Sequence, residues 1–357
     1  MHHFDKADFM KPCTRLIVLL LLGVMACGCR SVGVEDAPDL AIVDADTTVT
    51  RIAFGSCLKN PSGGAILDQV VAYKPDLFVW LGDNVYIDTN DKPERFKKQY
   101  GALGANPRFQ KLNEACRNLA TWDDHDYGNN NVGMRYPLKT QAKEQFGAFW
   151  EIPLSEPFWE REGIYRAYEY GPRDKRVQVI LLDGRWFRDL KQADKADSYL
   201  GEAQWAWLEQ VLCRPAKVRL ICSGLQVIRV NDNGWEMVGQ HPSERQRLFD
   251  LVEQTRANGV VFISGDKHFS EIHRTTKTAY PLYDVTSSGM DTVWGHTGKS
   301  KATGDFERVG ESFRAMNFGS IIIDWKKRET TVRLQIRDNK GEVQREQQID
   351  LEKLAVP

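Results

Sequence analysis

The sequence predicts an α/β fold that closes on an antiparallel meander. Three observations carry that prediction. From about residue 50, short β-rich runs alternate with longer stretches of helical spacing. From Ser320 onward only strand patterns remain. The composition is that of a globular chain, with 42% hydrophobic and 27% charged residues among 357. Those proportions exclude a disordered chain and a polytopic membrane protein. The 48 Lys+Arg nearly balance 49 Asp+Glu, leaving a net charge of −1. That balance argues against a dedicated nucleic-acid binder.

Residues 1–26 read as an export signal rather than as structure. Lys11 and Arg15 precede an apolar run, Leu16 to Gly28, which is too short to span a bilayer. The run ends Val24-Met25-Ala26-Cys27-Gly28-Cys29, which is similar to a bacterial lipobox. Cys27 is the expected lipidation site, with Cys29 as the alternative and a plain signal peptide as the other reading. The protein is therefore expected to be anchored by lipid to the bacterial cell envelope. Residues 27–49 show no period and read as a tether, and residues 50–357 as one domain.

Within that domain the expected strands are 51–54, 76–81, 119–122, 177–182, 218–222 and 260–263. Helices are expected at 65–73, after a Ser/Gly turn, and at 202–212, where Trp205, Leu208 and Leu212 recur at helical spacing. A third, 243–258, opens Ser243-Glu244-Arg245-Gln246, the Ser-x-x-Gln form of a capping box. The closing meander is expected at 320–325, 330–337 and 342–351, with a turn at Asp338-Asn339-Lys340-Gly341.

The residues just past the end of each strand are more informative than the strands. Gly55-Ser56-Cys57 comes after the first, Gly82-Asp83-Asn84-Val85-Tyr86 after the second and Asp123-Asp124-His125-Asp126 after the third. Asp183-Gly184-Arg185 comes after the fourth, Ser223-Gly224-Leu225-Gln226 after the fifth and Ser264-Gly265-Asp266-Lys267-His268 after the sixth. In α/β sheets, chemistry gathers at the carboxyl ends of strands. Any one of these stretches also fits a turn, a cap or a solvated acidic loop. Together they place metal-competent and phosphate-competent side chains at successive strand ends.

These stretches resemble the PhoD-like phosphatases, the alkaline phosphatase D branch of the calcineurin-like metallophosphoesterases. The resemblance rests on Phe54-Gly55-Ser56-Cys57, Gly82-Asp83-Asn84-Val85-Tyr86, Trp122-Asp123-Asp124-His125-Asp126 and Gly265-Asp266-Lys267-His268, with weaker support at Leu182-Asp183-Gly184-Arg185 and Val285-Thr286-Ser287-Ser288-Gly289. It implies two mixed β-sheets packed face to face, helices outside, and a metal centre at the strand ends. It implies one metal held by Cys57, Asp83, Tyr86 and His268, with Asp83 and Tyr86 on one side of an opening helical turn. A second would share Asp83 and add Asp124, Gln226 and Asp266. The mixed sulfur, nitrogen and phenolate set suits a transition ion, and the resemblance implies Fe(III). The oxygen-only set suits Ca, Mg or Mn, of which the resemblance implies Ca(II), and Zn is the alternative at the first position. The reaction implied is hydrolysis of a phosphate monoester or diester by in-line attack of an activated water. His125 would protonate the leaving oxygen or hold the phosphoryl group, and Arg185 would hold a phosphate oxygen, with Arg188 and Arg229 as further candidates. The alternative function is a catalytically silent metal-binding or scaffold lipoprotein.

Overall fold

The computed structural model describes residues 40–189, 198–230, 236–294, 306–326 and 329–357. In chain order these form β1 (Ile42–Asp44), β2 (Arg51–Gly55), α1 (Ile66–Tyr73), β3 (Leu77–Leu81), α2 (Glu94–Gly104), α3 (Pro107–Ala115), β4 (Arg117–Thr121), α4 (Asp124–Tyr127), α5 (Lys139–Phe149), β5 (Arg166–Tyr170), β6 (Val177–Leu181), α6 (Glu202–Leu212), β7 (Val218–Ser223), α7 (Pro242–Gln254), β8 (Val260–Ser264), β9 (Ser270–Thr275), β10 (Leu282–Ser287), β11 (Glu307–Arg308), β12 (Asn317–Asp324), β13 (Thr331–Asp338) and β14 (Val343–Asp350). All six expected core strands and the three expected helices are present, with ends moved by a few residues.

The strands form two mixed sheets. One runs β14-β13-β12-β2-β3-β4 and the other β1-β5-β6-β7-β8-β10-β9-β11. In the first, β2, β3 and β4 are parallel, and the meander joins through the antiparallel pair β12–β2. In the second, β6, β7, β8 and β10 are parallel. Side chains alternate across the pleat. Ile52, Phe54, Val79 and Leu81 share one core with Val179, Leu220, Val261 and Val285 of the other sheet. Their neighbours Ala53, Phe78 and Trp80 point the other way, into a second core with residues of α1, α2, α3 and α5. Trp80 there lies 5.7 Å from Phe109 and 5.8 Å from Trp150, so the aromatic content fills an outer layer. The predicted helical spacing of α6 holds, since Trp205, Leu208 and Leu212 are all buried.

Three local expectations are corrected. The helix expected from Ser243 begins at Pro242, and no side chain caps it. Proline fits the first helical position because its missing N–H is one the helix leaves unpaired there. Glu244 instead accepts from the backbone of Tyr199 and Leu200 and from the Trp205 indole. Residues 83–86 form an irregular bend rather than a helical turn. Residues 42–44, inside the stretch read as a tether, add β1 in parallel to β5. Cys27, Cys29 and the signal segment lie outside the described residues. No helix among the described residues is long and apolar enough to cross a membrane.

Candidate metal centre

The parallel strands β2, β3 and β4 all end toward one side, and the β8 and β10 ends meet them there. Backbone hydrogen bonds knit these ends together. Leu58 N–H donates to the Asp83 carbonyl and Met290 N–H to the Ser56 carbonyl. The Asp126 carboxylate, at the start of α4, accepts the backbone N–H groups of Asp83, Asn84, Val85 and Asp123. It thereby locks the loop after β3 to the loop after β4. Gly82, with φ of +95°, permits the close crossing, since a Cβ there would lie 2.5 Å from the Asp123 backbone nitrogen.

Cys57, Asp83, Asp266 and His268 all have positive φ, between +54° and +66°. Such backbone is costly for residues with a Cβ and concentrates at functional sites. The donor atoms fall into overlapping groups. Cys57, Asp83 and His268 offer atoms within 4.8 Å of one another, as do Asp83, Asp124 and His125, and Asp123, Asp124 and Asp266. Cys57 Sγ lies 3.4 Å from Asp83 Oδ2, and the Tyr86 hydroxyl donates to the same oxygen at 3.1 Å. Asp83 therefore stands between two donor groups, one holding sulfur, nitrogen and phenol, the other the carboxylates of Asp124, Asp123 and Asp266 with His125 beside them.

The electrostatics show why this cluster suits a cation. Burial, then Asp124, Asp123, Asp126 and Asp266, push the Asp83 pKa well above the carboxylate range. Burial and Asp83 push Cys57 up as well, and the same two causes raise Tyr86. Left to themselves these groups would hold their protons. A bound cation reverses that sign and makes carboxylates, thiolate and phenolate coexist. The buried His268 Nδ1 and Gln226 Oε1 have no hydrogen-bond partner. The donor chemistry therefore fits a pair of cations: Cys57, Asp83, Tyr86 and His268 toward one, and Asp83, Asp124, Asp266 and the unpartnered Gln226 Oε1 toward the other. A cleft of about 390 Å³ opens over them, lined by Tyr86, Asp124, His125, Asp266 and His268 together with Lys59, Asp88, Asn130, Asn131, Glu236, Lys267, Thr292 and Trp294.

Residues 52–334 match the family profile of the PhoD-like phosphatases. The chain belongs to that family. It is 22% identical over 307 residues to alkaline phosphatase D of Bacillus subtilis (strain 168), covering 70% of this chain and 52% of that protein. The chain thus spans about half the length of the curated relative it matches. Its fold superposes on a PhoD structure with a TM-score of 0.64 at 15% identity, covering 86% of this chain and 72% of the other. It superposes on a purple acid phosphatase from yellow lupin (Lupinus luteus) with a TM-score of 0.55 at 11% identity, covering 85% and 54%. For a dimetal phosphatase from Danio rerio the TM-score is 0.53 at 13% identity, covering 85% and 99%. The two face-to-face mixed sheets are the fold of these phosphatases.

The remaining predicted site residues divide. His125 lines the cleft, with its Nδ1 2.5 Å from Asp88 Oδ1. Burial opposes its charged form, but Asp88, Asp124 and Asp123 outweigh burial and raise its pKa. Arg185 is placed otherwise than expected. It is fully buried, with Nε 2.6 Å from Asp123 and Nη1 2.9 Å from Glu236. The guanidinium fork faces carboxylates, so it steadies Asp123 behind the donor cluster rather than waiting for phosphate. Arg188 and Arg229 are also buried, paired with Glu236 and Glu271. Gln226 is buried with its amide nitrogen on Thr286 Oγ1 at 2.8 Å. Sequence reasoning passed over Asp123 and Glu236 as functional residues. The doubled Asp123-Asp124 was a visible signal for the first. No signal marked Glu236, because its role comes from two arginines far away in the chain.

Proposed function

We propose that the chain is a metal-dependent phosphoesterase that hydrolyses phosphate monoesters, diesters or both. The carrying observation is the convergence of Cys57, Asp83, Tyr86, Asp124, Asp266 and His268 beneath one open cleft. The resemblance favours Fe(III) beside Cys57, Tyr86 and His268 and Ca(II) among the carboxylates, and the donor chemistry agrees. Such ions polarise phosphoryl oxygens and lower the pKa of water. The protein's own residues do the rest. Asp83 joins the two groups, and Arg185 and Asp126 hold the carboxylates in place. His125, held by Asp88, stands in the cleft where its protonated form can donate a proton to the departing alkoxide. Lys59, at the cleft wall, adds a positive charge for the phosphate ester.

The proposed setting is outside the cytoplasm, with Cys27 carrying lipid. The lipobox-like stretch motivates this, and mass spectrometry of the membrane fraction tests it. An unmodified N-terminus in mature protein would overturn it.

The activity test compares an activated phosphate monoester and diester side by side. The protein is assayed as purified, after chelation, and after iron and calcium are restored. Activity that disappears on chelation and returns with metal is expected, and the ratio of the two rates names the ester class. A protein that keeps iron and calcium tightly yet turns over neither ester supports the silent metal-binding alternative instead.

A further inference from the structure

Ser288 lies at the end of β10 and is buried. Its hydroxyl oxygen is 3.1 Å from Cys57 Sγ and accepts the His268 backbone N–H at 2.7 Å. One hydroxyl thus touches residues from the ends of β2 and β8, which lie in different sheets. The Ser56 hydroxyl also lies near the sulfur, at 3.7 Å. Its single proton has a nearer oxygen acceptor, the Ser287 carbonyl at 3.2 Å. As a metal ligand Cys57 has no proton to give, so the Ser288 O–H is then the donor of that pair. The support beneath Ser288 is fixed from the opposite sheet. Ser287 Oγ donates to Asn317 Oδ1 at 2.8 Å, and Asn317 N–H donates to the Gly289 carbonyl at 3.0 Å.

We propose that Ser288 is a positioning residue for the metal centre, its hydroxyl donating to the Cys57 thiolate while it holds the His268 backbone in place. The proposal rests on the reading of Cys57 and His268 as ligands of one ion. An O–H directed at a thiolate draws electron density from sulfur and weakens its donation to the metal. The same contact supplies the acceptor that a buried N–H in a left-handed loop requires. Ser288 therefore tunes one ligand electronically and orients another, without touching substrate.

The test is optical. Iron-loaded wild type, Ser288→Ala, Ser288→Thr and Cys57→Ser are compared by visible absorption, with iron content measured in each. The wild type is expected to show a sulfur-to-iron band that Cys57→Ser removes. In Ser288→Ala that band moves to longer wavelength, because sulfur without its hydrogen bond gives up charge more easily. The alanine variant also loses iron to a chelator about 10–100-fold faster, in line with the usual effect of removing a partner of a ligand. Ser288→Thr keeps the hydroxyl and restores both. A Cys57-dependent band that stays in place in Ser288→Ala overturns the proposal alone. Wild type with iron but no Cys57-dependent band overturns the ligand reading and the proposal with it.

Discussion

At the scale of the residue, the donor cluster is held in place by groups outside it. Asp126 is the clearest. Its carboxylate accepts four buried backbone N–H groups, from Asp83, Asn84, Val85 and Asp123. Asp126→Asn keeps the shape but turns an amide toward donors. Leaving buried donors unsatisfied predicts a loss of about 3 kcal/mol. Because Asp83 and Asp123 are the residues released, metal content falls together with the unfolding temperature. A variant that melts with wild type and keeps its metals would remove Asp126 from this role. The donor residues that the fold gathers were legible in sequence because each comes after a β-rich run, and strand-end position is a local property. Arg185 was legible as a functional residue but not in its role. Its partners, Asp123 and Glu236, lie about 50–60 residues away on either side, and only folding shows that its charge is already neutralised.

At the scale of the element, the strands β5 and β9 were not legible in the sequence. β5 reads Arg-Ala-Tyr-Glu-Tyr and β9 reads Ser-Glu-Ile-His-Arg-Thr, so neither shows an apolar run. Both are buried nonetheless, because their charges are paired. Glu169 of β5 meets Arg176 and Arg214, and Glu271 of β9 meets Arg229 and Arg308. The helix α2 did carry a readable signal, with buried Phe96, Tyr100 and Leu103 spaced four and three apart. Glu271 makes the charged strand testable. Burial works to raise its pKa, but His273, Arg229 and Ser312 hold it at about 2, against 4.5 for a free glutamate. A depressed folded pKa means stability that is present above about pH 4.5 and is lost as pH falls toward 2. Glu271→Gln lacks this contribution. Unfolding by urea should therefore show wild type ahead of the variant by about 3 kcal/mol near pH 6, with the gap shrinking steadily below pH 4.5. A gap independent of pH would mean that the charge of Glu271 does not support β9.

At the scale of the whole molecule, the donor cluster joins the two sheets. Alternating strands and helices pointed to an α/β core, but no local pattern says that the strands divide into two sheets facing each other. That arrangement came from the family resemblance, and the shared core of Ile52, Val79, Val261 and Val285 shows it. Cys57, Asp83 and Asp124 lie just past strands of one sheet, whereas Asp266 and His268 lie just past β8 of the other. A cation held by both groups is then a cross-link between the layers, present only in the folded state. Binding that selects the folded state adds about 2.7 kcal/mol when free metal exceeds its dissociation constant a hundredfold. For a chain of 357 residues that corresponds to a rise in melting temperature of about 4 °C. Calorimetry of the metal-loaded protein before and after chelation should show a fall of that size. Asp83 belongs to both donor groups, so Asp83→Ala should melt low and respond little to the chelator. Asp124→Asn should lose only the part due to a cation among the carboxylates and Cys57→Ser only the part due to a cation beside the sulfur. If wild type melts at one temperature with and without its metals, the sheets are held by their apolar interface alone and the cluster serves chemistry without joining the layers.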